Sequence, residues 1–382
     1  MRLQLSIAAV LLLLLAAAPA RAGGLSRPEF TGELRFNYYY ELSTLVWEPM
    51  ATLDATVASP AGKTTISAEY TLDAVTSASL AFGVQSVDQL RYEYRNEVGG
   101  AVSHDFGAVA LGVNTKFSKE CTYKTPSGER MKHCDYSAPS VGAFAELSLL
   151  DDTLVFRGIV GYGWDTATRF VGTEDLKTYY AGLYATWILD RTTILRAGYD
   201  LMDQEGFQSN FYRMVNVAGV NREETHPRSR WRHTIDFALK HRFPDLGATA
   251  EIEYRWYRDD WKITGEDLAI RTYFDLASEG PLRWLELRLG YRLYAQNGAY
   301  FWKPNYGSIS DIGRTLYTGD PKLSRFASHT IGARLEWDLG WLSGTPLSFL
   351  RWVDFRYDYV VVTKYNSYGN AHVFGASIAF AF

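Results

Sequence analysis

The stretch Trp284-Leu285-Glu286-Leu287-Arg288-Leu289-Gly290-Tyr291-Arg292-Leu293-Tyr294 alternates without a break. Successive side chains of an extended strand point to opposite sides. Leu285, Leu287, Leu289, Tyr291 and Leu293 therefore share one face, and Glu286, Arg288, Gly290, Arg292 and Tyr294 share the other. The pattern recurs from Leu90 to Val98, where Tyr92 and Tyr94 oppose Arg91, Glu93, Arg95 and Glu97. It returns in Ala250 to Tyr257, Leu268 to Leu276, Ile331 to Leu339 and Val353 to Tyr359. Rows of arginine and glutamate opposite rows of leucine and tyrosine suit a wall with water on one side and lipid on the other.

Composition supports that wall. The 382 residues are 47% hydrophobic and 15% aromatic, with 26 tyrosines, while 21% are charged. A mean hydropathy of −0.17 is too low for a helical membrane bundle, and the aromatic content is high for a soluble core built on Leu, Val, Ala and Ile. A transmembrane barrel meets both conditions, since it hides its apolar residues in every second position.

Followed from Glu33 to Phe382, the alternation predicts an all-β chain forming a single antiparallel transmembrane β-barrel of about sixteen strands, with fourteen or eighteen as alternatives. Compact turns fall at Pro60-Ala61-Gly62, Asp151-Asp152, Asp190-Arg191, Pro244-Asp245-Leu246-Gly247, Glu279-Gly280-Pro281 and Ser343-Gly344-Thr345-Pro346, all rich in hairpin chemistry. Longer connections are expected near Thr76 to Asp88, Lys119 to Ser137, Asp165 to Asp175, Gln204 to Ser229 and Asn297 to Ser324. Short turns alternating with long loops place both termini in the periplasm. Trp47, Tyr92, Trp256, Trp284, Trp337, Trp352 and Tyr359 lie toward strand ends, as interfacial girdles require.

Residues 1–22 combine a basic start at Arg2, an apolar run from Ile7 to Ala18 and the small-residue ending Ala20-Arg21-Ala22, the layout of a cleaved signal peptide. Residues 23–382 would then be the barrel. Removing Arg2 and Arg21 leaves 37 basic against 43 acidic residues and a formal charge of −6. Nothing in that balance points to nucleic acid. The closing run Val373 to Phe382 sets Phe374, Ala376, Ile378, Phe380 and Phe382 on one face, and a terminal aromatic such as Phe382 is similar to the signal read by barrel-assembly machinery. The implied location is the outer membrane of a Gram-negative bacterium, with membrane lipid as the immediate partner and a monomer as the expected state.

Cys121 and Cys134 fall within one predicted loop and, in an oxidising compartment, are expected to close a disulfide. His133 beside Cys134 is too little for a metal site, and no cofactor is called for.

The polar faces assign to the lumen Arg91, Glu93, Arg95, Glu97, Arg196, Asp236, Glu253, Arg255, Arg271, Glu286, Arg288, Arg292, Arg334, Glu336, Asp354 and Arg356. The signs nearly balance over the whole set of lumen charges, which implies no strong ion selectivity. Two readings follow: a hydrated pore with charge ladders, or a lumen sealed by pairs between neighbouring strands. Tyr39, Tyr257, Tyr273, Tyr294 and Trp352 are expected to narrow it. Loop candidates for recognition are Phe207, Tyr212, Arg213, Trp302, Lys303, Asp320 and Lys322, whose aromatic and basic groups suit sugars or an acidic polymer. The alternative is that the same loops pack on one another or fold into the lumen. The seven histidines are scattered, with His233 and His241 beside Ile235, Phe237 and Leu239 on the lipid face, so no enzyme is expected.

Three stretches resemble a family of uncharacterised outer-membrane barrels common in myxobacteria and other Gram-negative bacteria. They are Tyr70 to Ser79, Gly206-Phe207-Gln208-Ser209-Asn210 with Tyr212-Arg213, and Gly319-Asp320-Pro321-Lys322-Leu323-Ser324. The resemblance implies the barrel fold and, through the company such genes keep with redox and flavin-transfer proteins, a link to envelope electron transfer. The chain has no Cys-x-x-Cys-His for c-type haem. The functional expectation is a porin-like channel or export conduit for polar solutes. The alternatives are a structural or sheath barrel in an envelope complex for polysaccharide export or electron transfer, and an outer-membrane hydrolase.

Overall fold

A computed structural model describes residues 26–41, 44–78, 90–122, 133–169, 172–209, 214–277, 279–304, 306–308, 316–363 and 370–382. The predicted signal peptide, Tyr212 and Arg213 lie outside them. The strands are β1 (Glu29–Glu41), β2 (Thr44–Ser59), β3 (Gly62–Ala78), β4 (Leu90–Asp105), β5 (Val109–Thr122), β6 (His133–Leu149), β7 (Leu154–Arg169), β8 (Gly172–Ile188), β9 (Thr193–Gly206), β10 (Met214–Val217), β11 (Val220–Glu223), β12 (Ser229–Phe243), β13 (Ala248–Asp259), β14 (Thr264–Asp275), β15 (Leu285–Gln296), β16 (Phe326–Asp338), β17 (Leu350–Thr363) and β18 (Ala371–Ala381). Sixteen of these close an antiparallel barrel in which β9 neighbours β12 and β1 neighbours β18, while β10 and β11 form a separate hairpin.

Closure follows from register. β1 and β18 pair from Thr31 with Ala381 to Glu41 with Ala371. Phe30 and Phe382 then exchange backbone hydrogen bonds of 3.0 and 2.9 Å, so the terminal residue finishes the seam. No sheet edge is left to satisfy in lipid. Among the described residues no helix is long and apolar enough to cross a membrane.

The outer face is apolar. Leu34, Val160, Leu183, Phe237, Ile331 and Phe355, from six different strands, are each more than half exposed. His233, His329 and His372 share this face, bonded to the hydroxyls of Tyr199, Tyr291 and Tyr357 at 2.8, 2.8 and 2.9 Å. Each pair gives an imidazole a partner at a surface where an unpaired polar group is costly. Trp352 departs from the girdle pattern: it shares the face of Asp354, and the Arg334 guanidinium lies 5.7 Å from its ring.

All six predicted short turns occur at the end that carries both termini. A seventh, Phe106-Gly107-Ala108, was hidden because Gly99, Gly100, Gly107 and Gly112 blur the alternation around it; Gly107 takes φ 98° there. One expected loop is instead largely strand, and a second begins and ends as strand. β7 and β8 continue to Arg169 and Gly172, with Thr166 paired to Asp175 and Ala167 to Glu174. β5 and β6 similarly reach Thr122 and His133. Polar residues there are strand extensions, because cross-strand pairing does not require an apolar face once the wall leaves lipid.

Candidate functional site in the lumen

Register sorts the lumen charges into rows. Arg288 stands opposite Arg334, and Arg334 opposite Arg356, across β15, β16 and β17. The next row toward the terminal end is acidic, with Glu286 opposite Glu336 and Glu336 opposite Asp354. Like charges directly opposite repel, and the compensation comes from the rows meeting. The Arg334 Nη2 lies 2.8 Å from both Glu336 and Asp354. Arg356 is held by Asp358.

A second network spans β9 and β12 to β15. Arg196 lies 3.3 Å from Glu253 and 3.9 Å from Asp236, while Arg271 lies 2.7 Å from Glu253 and 3.6 Å from Glu251. Arg292 grips Asp267 through both nitrogens it presents. On the other wall Arg95 meets Glu120 at 3.4 Å, and Lys116 meets Glu97 at 2.7 Å and Glu69 at 3.4 Å. Lys116 and Glu120 thus join the charges that alternation assigns to the lumen, Glu69 among them. The side chains of Arg91 and Glu93 fall outside the described part. Between β9 and β17 lies a cavity of about 310 Å³, lined by six arginines and four carboxylates.

The residues expected to narrow the lumen are held by polar partners. Tyr39 donates to Glu41 at 2.6 Å, Tyr257 to Asp259 at 2.7 Å, Tyr273 to Glu251 at 2.6 Å and Tyr294 to Gln296 at 2.6 Å. Each phenol is thereby fixed in position against the wall.

Above the cavity, the long loops build a small cap with its own apolar packing. One cluster joins Trp261, Ile263, Ala299, Phe301 and Leu323; another joins Val215, Val217 and Tyr306. The β10–β11 hairpin is tied to the loop after β15 by bridges of Val217 to Tyr306 and Thr225 to Tyr317. The cap is anchored on lumen-facing residues, since Gln296 donates to the carbonyls of Lys322 and Ser324 at 2.9 and 2.8 Å. Buried Glu224 accepts from the Gly319 amide at 3.2 Å and lies 3.3 Å from His226, whose Nδ1 is 3.0 Å from the Gln208 carbonyl. Burial raises the Tyr306 phenol above its ordinary value.

In this cap the described loop candidates hold packing positions, the alternative that the sequence offered for them. Trp302 bridges to Thr318 and is part of the packing around Phe301. The Lys303 amide donates to the Thr318 carbonyl, Asp320 caps Lys322 at 2.9 Å, and the Phe207 amide donates to Asp175 at 2.8 Å. The residues that hold the cap, Trp261, Glu224, His226, Arg230 and Asp259, were not singled out by sequence. The usable signal was the break in alternation at Trp261-Lys262-Ile263, an apolar pair inside a short connection.

Cys121 and Cys134 are joined by a disulfide, with Cα atoms 4.0 Å apart. They lie at the ends of β5 and β6 and not within the loop itself; the β5–β6 register shifts between Glu120 and Thr122 at this point. Among the described residues no group of three metal-ligating side chains is assembled.

A search of the curated proteins finds no match. Among solved structures, CdiB from Acinetobacter baumannii is 11% identical at a TM-score of 0.53, covering 92% of this chain and 60% of its own. OccD3 (OpdP) of Pseudomonas aeruginosa is 12% identical at 0.48, covering 95% and 93%, and the outer membrane protein OprD of the same organism is 12% identical at 0.44, covering 95% and 96%. At such identities these structures speak to fold alone. Residues 161–348, from β7 to the turn before β17, match the model of a family described as a protein of unknown function (DUF3570). The closed sixteen-stranded wall, its apolar exterior and its charged interior make the chain a β-barrel of the outer-membrane type, and residues 161–348 of it resemble this family.

Proposed function

We propose that the protein is a monomeric, passive conduit for small polar solutes, exported by its signal peptide at 1–22 and inserted through barrel-assembly machinery that reads Phe382. The observation that carries this reading is the charged cavity inside a closed wall of sixteen strands. A barrel of that strand number is wide enough to hold water, and charges paired along the wall keep water in the lumen without blocking it. Both termini and the short turns lie in the periplasm, and the cap faces outside.

A second reading is a structural barrel of an envelope complex. It is favoured by the cap, which packs on the lumen-facing ends of β12 to β15. Planar-bilayer recording separates the two. Folded protein that produces steady ionic steps supports the conduit. Folded protein that stays electrically silent supports the scaffold.

A further inference from the structure

The near balance of charge over the whole lumen does not hold inside the cavity, where arginines outnumber carboxylates by six to four. Two of those arginines, Arg255 and Arg288, make no ion pair among the described residues. The acids beside Arg255 are already engaged: of its two cross-strand partners, Asp267 is gripped by Arg292 and Asp236 lies 3.9 Å from Arg196, while Glu253 is held by Arg271 and Arg196. Arg288 stands between Tyr273 on one side and Arg334 on the other. Its closest acid along the strand, Glu286, belongs to the acidic row and forms no bridge with it.

The wall is also thinned at this level. Gly290 stands opposite Gly332, with Arg271 opposite Gly290 on the next strand. A Cβ on Gly290 would make only ordinary contacts, the nearest with the Arg271 Cγ at 3.9 Å, whereas Gly332 is covered by the Asp358 carboxylate, so the room lies over Gly290 alone. Arg288 and Arg292 flank this window along β15. Arg255 lies nearer the cap, displaced from Arg288 by six residues of strand register, roughly 20 Å at 3.4 Å per residue.

We propose that this strip is an anion path, with Arg255 as the entry and Arg288 beside Gly290 as the binding station for a small carboxylate- or phosphate-bearing solute. An unpaired guanidinium offers such a group a planar fork of donors, and a ligand there supplies the counter-charge that the arginine row lacks. The inference deepens the conduit reading and rests on it.

The test is made on the full barrel in planar bilayers, under a KCl gradient and with citrate as the probe. The expected result is a reversal potential on the anion-selective side and brief blocks by citrate. Arg288→Gln is expected to weaken the apparent block constant about tenfold, the loss of one charge-assisted contact. Arg255→Gln is expected to slow blocking from the cap side, and Gly290→Val to weaken block by filling the window. Unchanged selectivity and block in Arg255→Gln and Arg288→Gln would overturn the anion path while leaving the conduit standing. A barrel silent in bilayers would overturn the conduit instead, and calorimetry of citrate with the folded, detergent-held protein then decides the station. Binding that Arg288→Gln abolishes supports it, and no binding to the unsubstituted protein ends it.

Discussion

Arg230 and Asp259 form a buried clamp where β12 and β13 leave the wall. The Arg230 Nε and Nη2 donate to one oxygen of Asp259 at 2.9 and 2.6 Å, and the carboxylate side chain is fully buried. The other oxygen accepts from the Ile263 amide at 2.8 Å, and Tyr257 adds a third donor at 2.7 Å. The guanidinium lies 4.0 Å over the Trp261 ring, so one ion pair fixes both the short connection and the aromatic on which the cap sits.

Asp259→Ala leaves that guanidinium buried without its counter-charge and frees the Ile263 amide. The expected loss is roughly 3 kcal/mol or more, visible as a lower urea midpoint and as faster protease cleavage between residues 207 and 228. Cleavage and midpoint equal to those of the unsubstituted protein would show that the clamp does not hold the cap.

Tyr306→Phe tests the cap by itself. The phenol accepts from the Thr318 amide at 3.0 Å and donates to the Thr318 carbonyl at 2.9 Å, and Thr318 is fully buried. Removing the hydroxyl strands the buried Thr318 amide and leaves the Thr318 carbonyl only its longer bond from the Lys303 amide, at a cost of about 1–3 kcal/mol. Hydrogen exchange should quicken at residues 306 and 316–324 while the barrel strands stay protected; uniform protection in both proteins would contradict this.

Gly332 and Gly290 face each other yet predict opposite outcomes. A Cβ at Gly332 would fall 1.9 Å from the Asp358 carboxylate, forcing it away from Arg356, whereas Gly290 has room. Gly332→Ala should lose on the order of 1–3 kcal/mol, as overpacking does, and Gly290→Ala should stay within about 0.5 kcal/mol of the unsubstituted barrel. Urea titrations in which the two behave alike would refute the contrast.

The Cys121–Cys134 bridge ties strand ends across a sequence separation of 13. Peptide maps with and without reductant should differ by this one crosslink, and free thiols at both positions in exported protein would sink it. Replacing both by serine should cost about 3 kcal/mol in the chain-entropy account of loop closure.

Much of the architecture is legible residue by residue. Leu285 to Leu293 against Glu286 to Arg292 declares a strand, its two faces and a solvent for each, because the period of two is a property of the local backbone. The turn at Pro244-Asp245-Leu246-Gly247 declares itself the same way, with Gly247 in the left-handed region at φ 57°. Where local signals thin out, so does legibility. The Phe106-Gly107-Ala108 turn sits among glycines, and Asp165 to Asp175 has the composition of a loop but pairs as strand.

The amino-acid sequence therefore determined that this is a barrel and that its strands have one apolar and one charged face, since alternation and turn chemistry are written over short stretches. Tertiary structure alone decided which charges meet. Arg288 lies beside Arg334, and the acid opposite Arg255 is claimed by Arg292, through register between strands far apart in the chain. The cap was decided the same way. Trp261, His226 and Phe301 come from three separate connections, and they became neighbours only when the wall closed and brought those connections to one rim.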